Sequence, residues 1–313
     1  MHTKSKIFGT IFGQAVGDAL GLGSEFMRKQ EVKYFYQNGL TDYSQIIQDR
    51  HRSRWTRGQW TDDTDMMLCI ANALITDGYI NIKTVAANFV RWLHSPTMMG
   101  IGRTVFNVLS NENYLKNPHE IAEQTWVRTG KQNAANGALM RTSIVGVLKN
   151  NVSKTAEDVC KLTHYDPRCI GSCVIVSEII SQLIWNDKQL SYNEIRELIN
   201  NKEYDDNRTL EYIDLSYNST NIADLQLDES NAIGYTLKAL SAALWCYFHA
   251  NDFQSGLLAV VNEGGDADTN AAIACAVLGA KFGYETIPQK YIDGLVDGEM
   301  LKNIAEIICK KVA

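Results

Sequence analysis

Two stretches of this 313-residue chain gather oxygen donors densely enough to suggest a cation: Trp60-Thr61-Asp62-Asp63-Thr64-Asp65 and Glu263-Gly264-Gly265-Asp266-Ala267-Asp268-Thr269-Asn270. Carboxylates and threonine hydroxyls suit hard divalent ions such as Mg²⁺ or Mn²⁺, and no Cys/His spacing of the zinc type accompanies them. Each stretch also runs into a segment that reads as a helix, where acidic residues and a Thr cap are favoured without any metal. That accounts for one or two acids in either cluster. Three carboxylates within four residues repel one another unless solvated or bridged, and the Asp/Thr chemistry recurs at the second helix start. Together the clusters favour one shared metal site, which requires the fold to bring the two ends of the chain together.

Other segments carry weaker signals. Gly264-Gly265 permits backbone angles closed to other residues and lets a ligand or a second loop approach. Gly17-Asp18-Ala19-Leu20-Gly21 and Gly23-Ser24-Glu25 read as a small-residue loop after a helix, in which Glu25 is either a solvated acid or a mobile acid near a ligand. The pattern lacks the third glycine and the βαβ alternation of a dinucleotide fingerprint. Asn136-Gly137-Ala138-Leu139-Met140-Arg141 reads as a turn into a helix, whose N–H groups cap the helix or receive a phosphate. His164 closes a helical stretch and by itself reads as a hydrogen-bonded structural residue. No P-loop, G-x-S-x-G elbow or cysteine-centred nucleophile motif is present.

The elements that must position these residues are helical. Only four prolines occur, and apolar residues recur at helical spacing. Ile7, Ile11, Ala15 and Ala19 form one stripe of a first helix and Phe8, Phe12, Val16 and Leu20 another. Gly9, Gly13 and Gly17 line a third, which predicts close approach of a neighbouring backbone. Met66, Met67, Ile70, Ala73 and Leu74 mark the buried face of a helix beginning after Thr61. Further helices are expected over 85–93, 102–109, 137–148, 156–162, 171–185, 233–248, 253–261 and 269–282. The polar stretch at about 186–230 reads as a surface excursion from a single domain spanning 1–313.

A net charge of −6 and a pI near 5.6 argue against sequence-independent nucleic-acid binding, which relies on a basic surface. The longest uninterrupted apolar stretch, Ala271 to Ala280, is half a membrane span, and Gln14 and Asp18 interrupt the apolar run that follows Lys4 and Lys6. Seven cysteines lie mostly in apolar helical stretches; even the i,i+4 pair Cys169 and Cys173 reads as packing. A cytoplasmic protein, with no membrane partner and monomeric, is the expectation.

The motifs already quoted, together with Gly13-Gln14-Ala15-Val16 and Thr163-His164, follow the order seen in the ADP-ribosylglycohydrolases related to dinitrogenase reductase-activating glycohydrolase, and the chain resembles that family over nearly its whole length. The resemblance implies a compact all-α fold with a binuclear Mg²⁺ or Mn²⁺ centre. It implies that Thr61, Asp62 and Asp63 form one ligand group and Asp266, Asp268 and Thr269 the other, with Asp62 and Asp268 also taking part in catalysis. Glu25 matches a movable acid near the metals. Gly137, Ala138, Leu139 and Met140, preceded by Asn136, match a phosphate- and ribose-binding loop, and His164 a histidine beside ADP-ribose. Gly100 and Gly102 fall on the substrate side. Many members carry Asp-Ile-Gly where this chain has Gly100-Ile101-Gly102, and that Asp is assigned to arginine-linked substrates. The implied function is metal-dependent removal of ADP-ribose from protein side chains, arginine first; serine-linked or polymeric ADP-ribose, or ADP-ribose binding without turnover, are the alternatives.

Overall fold

The computed structural model describes residues 2–200 and 202–312, and among them it is all-helical, with no strand and one isolated bridge between Ala135 and Tyr235. In chain order the helices are α1 (His2–Gly21), α2 (Lys29–Phe35), α3 (Asp62–Asp77), α4 (Ile82–Leu93), α5 (Arg103–Leu109), α6 (Pro118–Arg128), α7 (Val152–Cys160) and α8 (Pro167–Asn186). They continue as α9 (Tyr192–Glu197), α10 (Asn207–Asn218), α11 (Thr236–His249), α12 (Phe253–Val261), α13 (Ala267–Phe282), α14 (Gln289–Asp293) and α15 (Gly298–Val312). One continuous cluster of buried apolar side chains runs from Ile7 to Ile308.

The glycine stripe of α1 sets the geometry. A Cβ on Gly13 would lie 2.1 Å from the Cys275 carbonyl oxygen and one on Gly17 2.2 Å from that of Ala271, so α1 and α13 touch backbone to backbone. Residue numbers rise along one helix as they fall along the other, so the pair is antiparallel. The C-terminal end of α1 therefore meets the N-terminal end of α13, and the chain's two ends share one site.

Asp18 brings in the third element. It belongs to the last turn of α1, not to a loop; the helix continues to Gly21, and only the residues beyond it turn away. Fully buried, Asp18 accepts hydrogen bonds from the backbone N–H groups of Thr61 and Thr64, both at 3.0 Å, and from the Thr64 hydroxyl at 2.7 Å. A carboxylate so placed satisfies orphan donors at the start of α3 and favours the positive end of that helix.

Two segments depart from the expected pattern. Residues 139–147 wind as a 3₁₀ helix (Leu139–Val147), because neighbouring side chains capture the carbonyls an α-helix would use. The Thr142 hydroxyl donates to the Ala138 carbonyl, Gln14 to that of Met140, and Ser177 to that of Thr142. The polar stretch 186–230 folds into α9, α10 and a 3₁₀ turn that bury Ile195, Ile213 and Leu225, and the segment just beyond it reaches the cleft described next. Helix α8 is long and apolar enough to cross a membrane by length and composition, but most of it is buried within the fold.

Candidate active site

A cleft of ≈ 790 Å³ opens where α1, α3 and α13 end, and both acidic clusters line it. Thr61, Asp62, Asp63, Asp266, Asp268 and Thr269 all reach it, as do Glu25, Gly100, Gly102, Asn136, Gly137, Met140 and His164. Ala138 and Leu139 do not: both are fully buried in the core, because the 3₁₀ winding turns them away. Of the six acids and hydroxyls proposed from the sequence as ligands, none lies outside the site.

The carboxylate floor has more acceptors than donors. One oxygen of buried Asp63, Oδ1, has no hydrogen-bond partner, while Oδ2 takes a contact from the Thr61 hydroxyl at 3.3 Å. Asn136 donates to Asp266 at 2.6 Å and the Thr269 N–H to Asp268 at 2.8 Å. Carboxylate oxygens of Asp18, Asp63 and Asp268 lie within 4.8 Å of one another, as do those of Glu25, Asp266 and Asp268. Burial, followed by the charge of neighbouring acids, raises Asp62 to about 8 and pushes Asp63 and Asp268 well above the usual carboxylate range. Burial and Glu25 raise Asp266 to about 7, and burial alone raises Asp18 to about 7 against the pull of its Thr partners. A bound cation opposes these shifts, since it adds attraction for the ionised carboxylates that offsets both burial and the repulsion of neighbouring acids. The orphaned Asp63 oxygen and the all-oxygen donor set fit a hard divalent ion.

Asp65, the last acid of the first cluster, has a different task. Its two oxygens accept the indole N–H groups of Trp60 at 2.9 Å and Trp92 at 3.1 Å, which pins the loop before α3 to α4.

Glu25 sits on a tight loop held against the second cluster. The Phe26 N–H donates to the Gly265 carbonyl at 2.6 Å and the Gly265 N–H returns to that of Met27 at 2.7 Å. A Cβ on Gly264 would lie 2.3 Å from the Met27 oxygen, so the double glycine admits this loop. His51, missed in the sequence, lies 2.5 Å from the Glu25 carboxylate through Nε2, and Arg54 Nη2 lies 2.5 Å from its Nδ1. Arginine carries donors only, so Nδ1 accepts and Nε2 donates to Glu25. No sequence spacing marks His51 as Glu25's partner; the 49–55 loop folds back to bring it there, and Arg52 clamps that loop onto the Gly23 and Glu25 carbonyls.

The model of the ADP-ribosylglycohydrolase family matches residues 1–313. The chain belongs to this family. Its members hydrolyse glycosidic bonds, and the all-α architecture is that of an ADP-ribosylglycohydrolase. A solved structure described as an ADP-ribosylglycohydrolase-related protein complex shares the fold with a TM-score of 0.75 at 22% identity, over 100% of this chain and 99% of that one. ADP-ribosylarginine hydrolase Tri1 of Serratia proteamaculans is 28% identical over 96% of this chain and 78% of its own length. The ADP-ribosyl-dinitrogen reductase glycohydrolase of Rhodospirillum rubrum is 26% identical over 93% and 90%. ADP-ribosylhydrolase ARH3 of Danio rerio is 25% identical over 91% and 84%.

Proposed function

We propose that this ADP-ribosylglycohydrolase is a cytoplasmic enzyme that hydrolyses the bond between C1″ of ADP-ribose and a modified protein side chain, with ADP-ribosylarginine as its first substrate. The observation that carries the reading is the convergence of both acidic clusters and Glu25 on one cleft. The two bacterial relatives support it, since one is named for ADP-ribosylarginine and the other for ADP-ribosyl-dinitrogen reductase.

Thr61, Asp62, Asp63, Asp266, Asp268 and Thr269 would hold two divalent cations, Mg²⁺ or Mn²⁺. Bound there, such ions supply Lewis-acid charge for sugar oxygens and lower the pKa of a bound water. The chain's own residues do the rest. Glu25, oriented by His51, takes a proton from the attacking water. As the new C1″–O bond forms, the bond to the side chain breaks and the departing nitrogen or oxygen gains a proton. The Asp62 and Asp268 carboxylates face the positive charge that develops on the sugar. Asn136, by holding Asp266, ties the acidic floor to the 136–140 loop, whose Gly137 and Met140 line the cleft where the phosphates and ribose would lie.

One observation favours a second reading of the linkage. Gly100 has φ +79°, and a Cβ there would lie 2.6 Å from Asp62 Oδ1. The arginine-orienting carboxylate implied at this position by the family resemblance is absent, and a side chain here would be strained by the positive φ and would crowd the Asp62 carboxylate. A serine-linked or polymeric substrate needs no such group. Incubating purified protein with arginine-, serine- and polymer-linked ADP-ribose plus Mg²⁺ or Mn²⁺ separates these readings: release from the arginine substrate supports the first and release only from the others the second. ADP-ribose binding without release from any of the three makes the chain a binding protein.

A further inference from the structure

The part of the cleft lined by Gly137 and His164 carries the reverse imbalance. His164 is 2% exposed and lines the cleft, yet its Nε2 is buried and has no hydrogen-bond partner. Its other nitrogen, Nδ1, lies 2.7 Å from the Thr163 hydroxyl, which in turn lies 2.6 Å from Nη2 of Arg141. Arg141 is fully buried, stacked 4.4 Å from the centre of the Phe89 ring and in contact with the Met66 sulfur.

The order of protons along this chain follows from what each group can carry. Guanidinium has donors only, so the Thr163 oxygen accepts from Arg141. The Thr163 hydroxyl hydrogen has no other acceptor among the described hydrogen bonds, so it goes to His164 Nδ1, which accepts, and the ring proton of the neutral imidazole is left on Nε2. Burial and the Arg141 charge pull His164 down to about 3, so it remains neutral through the working pH range. A Cβ on Gly137 would lie 3.3 Å from Nε2, so the glycine leaves that atom facing the phosphate-side loop.

We propose that Arg141 and Thr163 are positioning residues that lock His164 as an Nε2–H donor, reserved for an oxygen acceptor of the bound ADP-ribose. The identity of the ligand rests on the function proposed above; the proton order does not. An unsatisfied buried donor is costly in the empty protein, and an acceptor that fills it recovers that cost on binding. The same donor disfavours a ligand presenting a hydrogen there.

The test uses the full chain with ¹⁵N-labelled histidine and ADP-ribose plus Mg²⁺ as the probe. Arg141 is too deeply buried to substitute without risk to folding, so Thr163→Val, which keeps shape and loses the hydroxyl, is compared with Thr163→Ser, which keeps both roles. Wild type and T163S are expected to show His164 as the Nε2–H tautomer in the ligand-free protein. T163V is expected to weaken that preference and to bind ADP-ribose about several-fold more weakly, the scale of one ordinary hydrogen bond. If hydrolysis is measurable, its KM should rise while kcat holds. An Nδ1–H tautomer in wild type, or unchanged affinity in folded T163V, overturns the proposal. Binding of ADP-ribose with the stated tautomer but no hydrolysis of any linkage would remove the enzymatic reading and leave this one standing.

Discussion

The acidic floor of the cleft and the wall that carries His164 are built on opposite surpluses. The floor concentrates Asp62, Asp63, Asp266 and Asp268 with few donors to answer them, and leaves Asp63 Oδ1 unpaired. The wall ends a chain of donors, from Arg141 through Thr163 to His164, with Nε2 unpaired. Each orphan suits a different group: a cation on one side, an oxygen acceptor on the other. A ligand that joins metal-bound hydroxyls to acceptor oxygens spans both, and ADP-ribose has that distribution.

The comparison breaks most completely at the floor. Asp268→Ala or Asp62→Ala should abolish metal binding and activity together, a loss of at least about 10³-fold in kcat/KM, read by Mn²⁺ titration beside the hydrolysis assay. Retained activity in either variant would detach the acids from the chemistry. Glu25→Gln should keep metal binding and slow turnover by about 10²-fold or more, the usual scale for a lost general base. Equal turnover of E25Q and wild type would remove Glu25 from the mechanism. Gly17→Ala should destabilise the protein by about 1–3 kcal/mol, because its methyl meets the Ala271 carbonyl at the α1–α13 contact that aligns both clusters.

The smallest effect is a dependence on pH. The floor acids have folded pKa values raised above the ordinary carboxylate value, so the native state binds more protons than the unfolded chain between about pH 4 and pH 8. Stability of the metal-free protein should therefore fall as pH rises through that window, and saturating Mg²⁺ or Mn²⁺ should flatten the fall. Melting curves at pH 5 and pH 8 with and without EDTA read this. A metal-free protein more stable at pH 8 than at pH 5 would mean that the floor acids are not buried and crowded as described.

The floor was legible in the sequence and the supports of the wall were not, for a physical reason. Acids at two helix starts form local clusters, and the Gly9-Gly13-Gly17 stripe announces a close helix contact that can join them. Asp18, His51, Thr163 and Arg141 act only through contacts with distant segments, and nothing in their spacing shows the partner. Arg141 and Thr163 lie within motifs that carry the family resemblance, but those motifs give them no role. Asp18 reads as part of a loop because glycines flank it, although Gly17 and Gly21 admit the α13 backbone and that packing holds the segment helical. The 3₁₀ winding after Leu139 was equally hidden, since it depends on Gln14 and Ser177 taking carbonyls from another part of the chain.

The central claim is that the two acidic clusters form one cation centre. Electron paramagnetic resonance of Mn²⁺ titrated into metal-free protein tests it most directly. The account predicts two coupled Mn²⁺ ions per chain in wild type, and loss of that signal when either Asp62 in the first cluster or Asp268 in the second is replaced by Ala. Absence of bound Mn²⁺ in wild type, or binding that survives removal of either cluster's aspartate, would contradict it.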